Sequence, residues 1–82
     1  MKALRELDGI MQEICANADK KRDEDAWTDR DEEVFEALSM RVNRYRVEIQ
    51  QERSRIARWV LARTAVNFAS RYKLLYIDTT IR

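Results

Sequence analysis

Proline and histidine are absent from this 82-residue chain, and glycine and cysteine occur once each. Each shortage excludes something. Without proline, and with Gly9 as the only glycine, the chain lacks the punctuation of a turn-rich fold, so an all-α protein is expected. Without histidine, no side chain has an ordinary pKa near neutrality, and acid–base catalysis loses its commonest agent. The lone Cys15 forbids an internal disulfide and fits a reducing compartment. One cysteine and no histidine also leave zinc without a ligand set. Gly-rich phosphate cradles are missing for want of glycine.

Long apolar runs are missing too. No stretch approaches the roughly 18 uncharged apolar residues of a membrane span. The opening residues Met1, Lys2, Ala3, Leu4, Arg5 and Glu6 lack the apolar core of a secretory leader. The expectation is one cytoplasmic domain with no membrane contact. Chains this short bury a modest share of their surface and often need a second subunit or a partner to be firmly stable.

What the chain has in quantity is charge, unevenly placed. Residues 1–40 hold six Lys and Arg against twelve Asp and Glu, whereas residues 41–82 hold ten against three. Such asymmetry marks either a nucleic-acid-binding half or two halves that fold against each other. Asp23, Glu24, Asp25, Asp29, Asp31, Glu32, Glu33 and Glu36 form an acidic run without the alternating ligands and central glycine of an EF-hand. Carboxylates at the start of a helix are favoured by its dipole, so no metal and no other cofactor is expected.

Apolar residues define the helices. Ala3, Leu4, Leu7, Ile10, Met11, Ile14, Cys15 and Ala18 recur at steps of three and four, predicting an amphipathic helix over residues 2–19. Cys15 on that face reads as a small core hydrophobe rather than a nucleophile. Residues 20–28 lose the period and form a charged loop in which Trp27 folds back as an apolar plug. Thr28 with Asp31 resembles a capping box opening a second helix. Nothing then interrupts the pattern, so one long helix is expected over residues 29–76, followed by a β-branched tail at 77–82.

Phe35, Leu38, Val42, Tyr45 and Ile49 follow a heptad, which Ile56 and Trp59 resume with Glu52 at the intervening position. Beyond Val60 the stripe changes sides: Leu61, Ala65, Phe68, Tyr72 and Leu75 lie nearly opposite. A helix with two stripes needs two coverings or a kink near residues 60–63. The expected architecture is a helical hairpin, a short first helix against a long second one, completed by dimerisation; a kinked three-helix monomer is the alternative.

These patterns suggest a non-enzymatic helical protein–protein interaction module: an adaptor, assembly subunit or inhibitor. It would self-associate as a homodimer and capture a protein partner through Leu61, Ala65, Phe68, Tyr72 and Leu75. The alternative is a nucleic-acid-binding helical dimer whose row of Arg41, Arg44, Arg55 and Arg58 tracks phosphates. Against it, the sequence pI of about 7.9 lies below the value above about 9 expected of such binders.

Overall fold

The structure, a computed structural model, describes residues 2–80, with side chains for residues 2–73. Among the described residues it is all-helical, with three helices in chain order: α1 (Lys2–Asp23), α2 (Asp29–Gln51) and α3 (Arg55–Thr80). The single long helix expected over 29–76 is therefore two helices. The break lies at residues 52–54, about two turns before the kink expected near 60–63. Ile77 to Thr80, expected in a non-helical tail, continue α3, while Ile81 and Arg82 lie outside the described residues.

The break is made without glycine or proline. Glu52 adopts an extended conformation at the end of α2, and its amide donates to the Glu48 carbonyl. Ser54 opens α3, its hydroxyl accepting the Ala57 amide at 3.3 Å while its own amide donates to Glu52 Oε1 at 3.1 Å. Arg58 reaches back from α3 with Nε and Nη2 donating to the Glu52 carbonyl at 3.2 and 2.7 Å. Three polar side chains thus satisfy backbone groups that a continuous helix would have paired internally.

The other connection is also built from side chains. α1 runs to Asp23, four residues past its expected end at 19, because Asp25 (φ 55°) takes the left-handed conformation usually given to glycine. The Ala26 amide then donates to the Lys21 carbonyl and the Asp25 amide to that of Arg22. Thr28 caps α2 as expected: its hydroxyl accepts the Asp31 amide, and Asp31 Oδ2 accepts the Thr28 amide at 3.0 Å. Trp27 does fold back, meeting Phe35 edge-on with ring centroids 6.0 Å apart. Arg22 lies 4.4 Å above its ring, and its indole N–H donates to Glu32.

α3 is the helix the other two share: it packs most extensively on α1, and also on α2. Its buried residues are small, Ala62, Ala65, Val66 and Ala69, at steps of three and four. Opposite them stand Leu7 and Ile14 of α1 and Leu38, Val42 and Ile49 of α2. Large side chains from both sides thus fill a shallow seam, and the α3 backbone can approach its neighbours closely. The core contains no buried polar side chain among the described residues.

Part of the charge asymmetry between the halves is met across the helix contacts. Glu6 pairs with Arg63 at 3.4 Å, Asp8 with Arg46 at 3.2 Å, and Glu13 with Lys73. Three carboxylates of α1, a helix with as many basic as acidic residues, therefore lie against cations of α2 and α3. Glu6–Arg63 and Glu13–Lys73 ascend together, so α1 and α3 run parallel. Such exposed pairs contribute at most about 1 kcal/mol each, and they align helices more than they stabilise them.

Candidate functional site

Of the residues expected to capture a partner, the four whose side chains are described lie in or against the chain's own core. Ala65 is fully buried, and Leu61, Phe68 and Tyr72 are partly buried against the core. Phe68 lies 5.0 Å from the Tyr72 ring and 6.1 Å from that of Tyr45 on α2. The Leu75 side chain lies outside those described. Because α3 begins afresh at Arg55, its phase is not tied to the α2 seam. The second stripe turns inward toward α1 and α2, as in the three-helix alternative.

The first stripe is then left outside. Ile56, Trp59 and Val60, expected to continue the α2 seam, are 77%, 60% and 49% exposed on the first turns of α3. Their spacing of three and four puts them on one face, with Arg63 and Asn67 continuing it. Trp59 and Arg63 also border a shallow depression of about 510 Å³, closed on the other side by Lys2, Ala3 and Glu6 of α1. No sequence signal marked these residues as free; only the position of the break decides it.

A second exposed face runs along α2. Met40 and Val47 are 71% and 50% exposed, opposite the buried Leu38, Val42 and Ile49. Asp29, Glu33 and Glu36 precede them on the same side at steps of four and three.

The arginines of the expected row are divided by the break. Arg41 and Arg44 sit on α2, and Arg55 and Arg58 on α3. Arg41 packs over the Phe68 ring at 5.2 Å and lies 5.8 Å from that of Tyr45. Arg58 is engaged by the Glu52 carbonyl. Arg44 and Arg55 are exposed. The four do not form one continuous line of phosphate-facing cations.

Asp31 has a carboxyl whose pKa is perturbed, and its role is structural. Partial burial opposes ionisation of Asp31. The Thr28 amide, the Lys21 ammonium at 2.9 Å and the Thr28 hydroxyl outweigh it, holding the carboxyl below its ordinary value of 3.8. Among the described residues, no group of three or more His, Cys, Asp or Glu side chains could hold a metal, and no helix is long and apolar enough to cross a membrane.

Comparison with family models, with curated proteins and with solved structures finds no match to this chain.

Proposed function

We propose that the chain is a non-enzymatic helical interaction module that docks on protein through the outer face of α3. The observation that carries this reading is the exposed Ile56–Trp59–Val60 cluster. A tryptophan and two β-branched residues at helical spacing gain most when desolvated together, and tryptophan is among the commonest binding hot spots. Arg63 beside them offers the polar rim that such interfaces use for orientation. The core is complete without these three residues, so packing within the chain gives no account of them.

This reading moves the docking surface away from the Leu61–Tyr72 stripe while keeping the kind of function. Nucleic-acid binding is the weaker reading, because Arg41 and Arg58 are committed to contacts within the chain. To test the proposal, a photo-crosslinking amino acid replaces Val60 in the source cells, with Asn67→Asp as a control for helix geometry. Discrete protein adducts that vanish when Trp59→Asp is added are expected. The absence of any adduct at position 60 refutes docking on this face.

A further inference from the structure

Resting on that reading, we infer that the occupant of the α3 face is the outer face of α2 from a second copy of the chain, packed antiparallel and head to tail. Three observations meet here. The α3 face is apolar at its start and basic beyond: Ile56, Trp59 and Val60 come first, then Arg63 and Arg71, and no carboxylate occurs between Glu52 and Asp78. The α2 face is acidic at its start and apolar beyond, with the exposed Arg44 along its edge: Asp29, Glu33 and Glu36 come first, then Met40 and Val47. Both faces also step by fours and threes, as Ile56, Val60, Arg63, Asn67 and Ser70 on one and Asp29, Glu33, Glu36, Met40, Asn43 and Val47 on the other.

Only one direction matches both chemistries. With Ile56 opposite Val47 and the helices antiparallel, the three- and four-residue steps stay in phase. Val60 then covers Asn43, Trp59 lies beside Arg44, the stem of Arg63 (whose guanidinium is held on Glu6) covers Met40, and Arg71 comes within reach of Glu33. A parallel arrangement would set Ile56 and Val60 on carboxylates. Pairing two α3 faces with each other would confront Arg63 and Arg71 with their own copies, and like charges disfavour it. Among the described residues, Arg71, Asp29, Glu33 and Glu36 have no ion-pair partner within the chain, so they remain available for this contact. Because the two surfaces differ, each copy retains one unused face after pairing, and association continues beyond a dimer.

Sedimentation equilibrium of the purified chain and two variants tests this. One variant, Ile56→Ser with Trp59→Ser, loses the α3 face; the other, Met40→Ser with Val47→Ser, loses the α2 face. All four positions are exposed, and circular dichroism confirms that both variants keep their helices. The unaltered chain is expected to grow in mass with concentration past the dimer at about 0.05 M NaCl. Raising salt to about 0.5 M should weaken the association on the order of tenfold. Each variant alone should be monomeric, and an equimolar mixture should form a one-to-one dimer and stop there. A monomeric unaltered chain, a variant that still self-associates, or a mixture that stays monomeric overturns the inference. A monomer whose position 60 still gives Trp59-dependent adducts of other proteins overturns this inference while leaving the proposed docking function standing.

Discussion

Replacing Arg58 with alanine separates an arginine that holds the fold from arginines that merely decorate it. The last turn of α2 contains no basic residue of its own, so its negative end is unanswered from within that helix. Arg58 answers it from the next helix, with two guanidinium N–H groups on the Glu52 carbonyl at 3.2 and 2.7 Å. A hydrogen bond to a charged group contributes about 1.5–3 kcal/mol when protected from water. The site is only partly buried, so water can replace part of what is lost and the lower end applies. With a cation at a helix C-terminus contributing a few tenths more, Arg58→Ala should cost about 1–2 kcal/mol. Arg58→Lys keeps the charge, loses the fork, and should recover about half of that. Urea unfolding followed by circular dichroism gives the free energies. A domain of this size should lose about 4–8 °C in Tm for each kcal/mol. The exposed Arg55→Ala is the control and should stay within about 0.5 kcal/mol of the unaltered chain. Equal effects at positions 55 and 58 would refute the assignment of Arg58 as the cap of α2.

Three further changes probe other parts of the structure. Gly9 lies in the middle of α1 with open space where a Cβ would stand, so Gly9→Ala should stabilise by about 1 kcal/mol, read as a higher thermal midpoint. Ala65 is fully buried in the seam, so Ala65→Leu should cost about 1–3 kcal/mol in the same urea assay, whereas a stripe free for partners would tolerate it. Asp31 has its folded-state carboxyl held below 3.8, so its contribution is present above the unfolded value and is lost as pH falls through the lower folded one. The stability gap between the unaltered chain and Asp31→Asn should therefore be open at neutral pH and should narrow progressively in acid, as compared by urea midpoints across that range.

Helicity, the buried face of α1 and the start of α2 could all be read from the sequence. Leu7 and Ile14 recur at helical spacing, and Thr28 with Asp31 is a local device whose chemistry lies within four residues. The break at 52–54 could not be read so easily. Glu52, Ser54 and Arg58 terminate one helix and begin another only in combination, and none is a strong breaker alone. Ile56 and Trp59 made matters worse, since they extend the α2 heptad by coincidence of phase. The buried face of α3 was also obscured because three of its four fully buried residues are alanines. Alanine carries little weight in a hydrophobic pattern, so the larger Leu61, Phe68 and Tyr72 at its margin drew attention instead. The same error of phase hid Ile56, Trp59 and Val60 as candidates for docking.

The alanine seam of α3 also has a consequence for how the molecule is made. Both α1 and α2 rest chiefly on a helix that comes after them in chain order, and α1 must wait through an intervening helix for its principal neighbour. A nascent chain that has not yet released residues through about 70 therefore holds Leu7, Ile14, Leu38, Val42 and Ile49 with nothing to bury them. Early segments would emerge as fluctuating helices, and cooperative structure would arrive in one late event when α3 threads its small residues between them.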